Sequence, residues 1–116
     1  MEPAFTTEFD ITSVQIGESR SIICAEGDAD KYGHVFATYE LDSAGERTGG
    51  TYSGSARAFP GDDTMIAGVF RGIWRRDGAK VVISSVDDAS NGDLNFTRIE
   101  LDVQAKKAKI TVYPLD

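Results

Sequence analysis

Apolar residues recur at every second position through most of this 116-residue chain, in short runs separated by turn signals about a dozen residues apart. A period of two turns successive side chains to opposite faces of a strand, so each run buries one face. The connections are too short for parallel crossovers, and consecutive strands must therefore pair antiparallel. Eight strands are predicted, over residues 5–13, 18–25, 33–41, 50–57, 64–75, 80–87, 94–103 and 106–113. Eight strands in meander order lose their open edges most simply by closing, which predicts an all-β, up-and-down β-barrel. The length suits one such domain over residues 1–116.

Turn chemistry sets the expected register. A turn about Gln104-Ala105 pairs Asp102 with Lys107, Leu101 with Ala108, Glu100 with Lys109 and Ile99 with Ile110, charge on charge and apolar on apolar. Asp77-Gly78 is a two-residue hairpin signal that places Trp74 opposite Val81 and Gly72 opposite Ile83. Asn91-Gly92 puts Leu101 beside Val82 and Ile99 beside Ser84, and Pro60-Gly61 puts Ala56 beside Met65 and Tyr52 beside Val69. The expected interior then holds Tyr52, Gly54, Ala56, Met65, Ala67, Val69, Ile73, Val82, Val86, Ile99, Leu101, Ala108, Ile110 and Val112. Phe70, Trp74, Val81, Ile83, Phe96 and Tyr113 fall outside, more aromatic surface than a barrel exterior needs. Trp74, Phe70, Phe96 and Tyr113 are therefore candidate interface residues of a homo-oligomer, in its simplest form a dimer; the alternative is that the amino-terminal segment partly caps these rings or that they stand singly.

Composition removes several function classes. Twelve Lys and Arg against nineteen Asp and Glu give a net charge of -7, which nucleic acid or an anionic membrane would repel. The single cysteine, Cys24, cannot close an internal disulfide, and no His or Cys spacing suits zinc. The pairs Asp62-Asp63 and Asp87-Asp88, with Asn91 and Asp93, read as solvated loop acids without the spacing of a calcium loop. No metal or other cofactor is expected. The start lacks a basic and apolar leader, and no apolar run approaches the roughly 20 residues of a membrane span, so the expected location is the cytoplasm.

Arg71 carries the candidate chemistry, because the expected register places it on the apolar interior between Val69 and Ile73, where a guanidinium needs an anionic partner. If Glu40 lies opposite Gly50, the missing side chain of Gly50 leaves a window through which Glu40 and Arg71 meet. With Tyr52, Thr38 and Ser84, that pair becomes the polar end of a lumen pocket; otherwise it is an internal salt bridge in a filled barrel. A one-residue slip instead turns Val35, Ala37, Tyr39 and Leu41 inward and Glu40 to solvent. A hairpin centred near Ala29 sets Cys24 beside His34, the minimum for a nucleophile and its base, without a supporting motif.

The segments Gly33-His34-Val35-Phe36-Ala37-Thr38-Tyr39 and Gly50-Thr51-Tyr52-Ser53-Gly54-Ser55-Ala56 resemble the glycine-spaced strand pair of the allene oxide cyclase barrel-like proteins, and more distantly lipocalin-like barrels. The resemblance covers the middle third of the chain. It implies a small eight-stranded barrel, often oligomeric and often bacterial, with an apolar ligand in the lumen, and matches no cyclase active-site position. The expected function is therefore binding of a small, largely apolar ligand, anionic if Arg71 anchors it, with Glu40, Tyr52, Thr38, Ser84 and His34 around it. The alternatives are an isomerase or cyclase using Glu40 or His34 as proton shuttle, and a filled barrel acting as a homo-oligomerisation module.

Overall fold

The computed structural model of the chain describes residues 1–43 and 48–115. Eight antiparallel strands follow in sequence order: β1 (Phe5–Ile16), β2 (Arg20–Asp28), β3 (His34–Asp42), β4 (Gly49–Gly61), β5 (Thr64–Asp77), β6 (Lys80–Ala89), β7 (Leu94–Asp102) and β8 (Lys107–Pro114). Each pairs with the next, and β1 pairs back onto β8 from Phe5 opposite Val112 to Asp10 opposite Lys107, closing an up-and-down barrel. A single 3₁₀ turn, Asp30–Tyr32, joins β2 to β3, and Gly33 leaves it at φ 71°, a left-handed conformation that favours glycine. Among the described residues no helix is long and apolar enough to cross a membrane. The turn expected over 42–49 lies, from 44 to 47, outside the described residues.

In an up-and-down barrel the connections alternate between two ends. One end carries the start of β1, the β2–β3 turn, the β4–β5 turn and the β6–β7 loop; the other carries the remaining four connections. Ile11, Ile23, Leu41, Trp74, Ile83, Leu101 and Ala108 are buried toward the second end and close it. Trp74 completes this plug by donating its indole N–H to the carbonyl oxygen of Asp42 at 2.8 Å. Gly50 is the strand partner of Trp74, and a Cβ there would come within 3.1 Å of the indole nitrogen and 1.8 Å of the Asp42 oxygen. The window expected at Gly50 between Glu40 and Arg71 does not form, because Glu40 and Arg71 both face Ser53; the space beside Gly50 is taken by the Asp42 carbonyl and the indole.

The final hairpin has the expected register, Asp102 opposite Lys107 through Ile99 opposite Ile110. Two other registers differ by an odd number of residues. Asp62 and Asp63 form the β4–β5 turn, with a bulge between Ala58 and Gly61, so Ala56 lies opposite Gly68 rather than Met65. Five residues, 89–93, separate the last β6–β7 pair, Asp88 and Leu94, with Ala89 still part of β6, and Leu101 lies opposite Val81 rather than Val82. Each odd slip exchanges faces. Together they invert the β5–β6 hairpin as a block, leaving its internal pairing shifted by an even step, with Trp74 opposite Ile83. Phe70, Trp74, Val81 and Ile83 therefore point inward, while Met65, Val69, Ile73 and Val86 are about half exposed on the outside. The β3–β4 register has the same consequence: Glu40 lies opposite Ser53, and Val35, Ala37, Tyr39 and Leu41 fill the interior.

Candidate functional site

The first end of the lumen is hollow. A cavity of about 100 Å³ opens there, its wall built from small residues of three neighbouring strands: Ala37 on β3, Ala56 and Ala58 on β4, and Gly68 on β5. Phe9, Val35, Tyr39, Phe70, Ile99, Ile110 and Val112 supply the larger apolar surface. Side-chain size makes the void, since the same strands close the opposite end with Leu41 and Trp74. Tyr39 and Tyr52, ring centroids 6.1 Å apart, separate the two halves. The Tyr52 hydroxyl is buried and has no hydrogen-bond partner. It lies over Gly54, where a Cβ would approach both it and the Phe70 ring within 2.9 Å.

One ionisable side chain projects into this apolar wall from β6. Asp87 accepts hydrogen bonds from the Ser85 hydroxyl at 2.6 Å and the Thr97 hydroxyl at 2.5 Å, one on each carboxylate oxygen. Among the described residues no cation is paired with it. Burial pushes its pKa above the ordinary carboxylate value, against the two hydroxyls that hold it down. Burial raises both tyrosine hydroxyls well above the usual range, and the Asp87 charge adds to each.

Tyr32 reaches across the mouth. It leaves the β2–β3 turn and donates its hydroxyl to Asp93 Oδ2 at 2.6 Å in the β6–β7 loop, on the opposite side of an eight-strand cylinder. Asn95 donates to the same hydroxyl at 3.1 Å, Lys31 pairs with Asp93 at 2.9 Å, and the Phe5 ring packs 6.3 Å from that of Tyr32. These contacts brace two opposed hairpins and narrow the opening. The Tyr32 hydroxyl, Lys31 and Asn91 pull the Asp93 pKa down to about 2.

Most of the residues predicted from sequence lie elsewhere. Arg71 is exposed on the outer face, donating to the carbonyl of Phe70 at 2.8 Å, because the inverted β5 turns odd-numbered residues outward. Glu40 is also outside, paired with Arg20 at 3.4 Å, and the Arg71–Glu40 pair does not form. Thr38 and Ser84 share that outer face, where Thr38 meets Cys24 Sγ at 3.7 Å. Cys24 and His34 are not partners: the 3₁₀ turn recentres the hairpin on residue 31, which sets Cys24 opposite Thr38 and His34 opposite Asp28. His34 instead binds Glu26 and Asp28, each at 2.8 Å, and these carboxylates raise its pKa. The proton-shuttle alternative therefore loses both named groups from the lumen. Of the candidate interface residues, Trp74 and Phe70 point inward with their strand, whereas Phe96 and Tyr113 remain outside, rings 5.9 Å apart.

Tyr52 is the one predicted pocket residue inside the lumen. Asp87 was hidden by its neighbour: Asp87-Asp88 reads as a loop pair, but β6 runs on to Ala89, so alternation sends Asp87 in and leaves Asp88 exposed at the rim. The signal that finds it is Ser85-x-Asp87, two polar residues in phase with Val81 and Ile83. No family model, no curated protein and no solved structure matches this chain.

Proposed function

We propose that this barrel binds a small, largely apolar molecule in the hollow half of its lumen. The observation that carries the reading is the contrast in filling: an apolar space of about 100 Å³, open at one end, in a barrel whose other half is packed shut. Pockets for small molecules are apolar concavities with a few polar groups that fix orientation, and Asp87, Thr97 and Asn95 supply those groups. The volume is below the roughly 150 Å³ of a cavity that accepts benzene, so the fitting body is a slim chain or a small ring. The arginine-anchored anion expected from sequence meets no lumen cation among the described residues.

The test is binding of xenon and of short alcohols, followed by NMR shifts of the methyl groups of Val35, Ile99 and Ile110, in the natural chain and in Ala56→Leu. Saturable shifts at those methyls that Ala56→Leu abolishes are the expected result. Absence of shifts in the natural chain, or shifts unchanged by the filling substitution, overturns the reading.

A second reading concerns self-association. Val69, Ile73 and Val86, 50%, 46% and 47% exposed, surround Arg71 on the outer face of β5 and β6, and the row continues through Phe96 to Tyr113. Contiguous apolar surface of this kind favours a homodimer. Sedimentation of Val86→Lys tests it, since a dimer seated there becomes a monomer and one formed elsewhere is unaffected.

A further inference from the structure

We infer that the lumen is selective for a small alkylammonium ion, the Asp87 carboxylate forming its anchor, an inference that rests on the lumen-binding reading. The first observation is chemical. An ionised carboxylate has about four acceptor positions, and Ser85 and Thr97 use two of them. What remains is acceptor capacity in an apolar wall, and no side chain of the described structure supplies the matching positive charge.

The second observation is energetic. A buried carboxylate without a counter-ion is costly, and its pairing partner gains most where the desolvation has already occurred. Folding has stripped part of the water from the half-buried Asp87, so part of the desolvation that pairing requires has already occurred before an ammonium arrives. An alkyl body then occupies the space beside Ala37, Ala56 and Ala58, where it displaces little but poorly held water. A carboxylate on the same body meets like charge at Asp87, and an alcohol donates a hydrogen bond to the carboxylate but brings no opposite charge to it.

The third observation is the approach. Asp88 and Asp93 lie at the rim of the same mouth, on a chain of net charge -7, and a field of that sign concentrates cations at the opening and excludes anions. Lys31 is engaged with Asp93 there rather than with Asp87. The size limit of about 100 Å³ confines the body to a few carbons, with any longer tail emerging past Tyr32.

The experiment compares n-butylamine, 1-butanol and butanoate at pH 7 by isothermal titration and by lumen methyl shifts, on the natural chain, on Asp87→Asn and on Ala56→Leu. The natural chain is expected to hold the amine about tenfold more tightly than the alcohol, the step that the ammonium's own charge adds over a neutral donor, and butanoate least. In Asp87→Asn, whose amide is close to isosteric with the carboxylate, the amine and the alcohol should come within about twofold of each other. Ala56→Leu, which keeps the carboxylate and fills the space, should lose both ligands.

Equal affinity for amine and alcohol in the natural chain overturns the anchor while leaving lumen binding standing. So does an amine preference that survives in Asp87→Asn, or butanoate binding tightest of the three. Failure of all three ligands to bind overturns the lumen reading itself, and the inference with it.

Discussion

The two ends of this barrel are made by the same eight strands and differ most in what those strands carry inward. Toward the closed end β3, β5, β6 and β7 contribute Leu41, Trp74, Ile83 and Leu101; toward the open end they contribute Ala37, Gly68, Asp87 and Thr97. Eight strands enclose a space just wide enough either for side chains or for one small molecule. The choice between a plug and a pocket is therefore made by side-chain volume, strand by strand, within one continuous closed sheet. Polarity follows the same division, since the buried polar side chains Ser85 and Thr97 serve Asp87 on the open side.

Truncating a large side chain should separate the two ends by the widest margin. Trp74→Ala is expected to cost about 3 to 5 kcal/mol in urea unfolding, whereas Phe70→Ala, which borders an existing void, should cost roughly half of that. Equal losses would mean that the open half is packed as tightly as the closed one. The reverse substitution sharpens the point. Ala108→Leu, fully buried between β1 and β7, should destabilise by about 1 to 3 kcal/mol through overpacking, while Ala56→Leu should be neutral or stabilising by about 1 kcal/mol.

Asp87→Asn is expected to stabilise the unliganded protein by about 1 kcal/mol at pH 7, read from the same unfolding curves. The sign follows from the direction of the shift. The folded-state pKa lies above the ordinary 3.8, so the contribution of Asp87 to stability is fully present below that value and is lost as pH rises through the folded pKa. The variant lacks that loss, and its advantage should grow from pH 3 to pH 7. A variant advantage that shrinks with rising pH would place the carboxylate in a charge-compensated environment.

The smallest expected effect is at the mouth. Tyr32→Phe removes the hydroxyl that binds Asp93 and Asn95, and should raise amide exchange at residues 29–33 with a global stability change below about 1 kcal/mol. Acid reaches the same contact through Asp93. With a folded pKa of about 2 against an ordinary 3.8, its contribution is present above 3.8 and is lost as pH falls through 2. The mouth should therefore loosen in that window, as faster exchange at 29–33 in the natural chain than in the closed-end turns.

The barrel was legible in the sequence because strand existence and order depend only on period two and short turns. Register was legible where both faces carried information: in β7–β8, Asp102, Glu100, Lys107 and Lys109 oppose one another outside while Ile99, Leu101, Ala108 and Ile110 pair inside. In β5 and β6 both faces are apolar, with Val69, Ile73 and Val86 on one and Phe70, Trp74 and Ile83 on the other, so alternation does not choose between them. The turns then decide, and Pro60-Gly61 and Asn91-Gly92 each mislead by an odd step because Asp62-Asp63 and a five-residue loop make the reversals. One inverted hairpin moved Arg71 out of the lumen and Asp87 into it. The sign of the site changed with it, since a strand read one residue out of phase exchanges its hidden charge for its exposed one.

β1 closes onto β8 along an antiparallel ladder. The Ala4 amide donates to the Val112 carbonyl at 2.7 Å, and Phe5 and Val112 face each other as strand partners, so this seam is built like any of the seven hairpin junctions but lacks a peptide link. A short linker from Pro114 to Phe5, with the chain opened instead between Gly78 and Ala79, would transfer both free ends to the plugged pole. Such a permutant would keep every ladder, and the hollow pole would then be ringed by unbroken polypeptide.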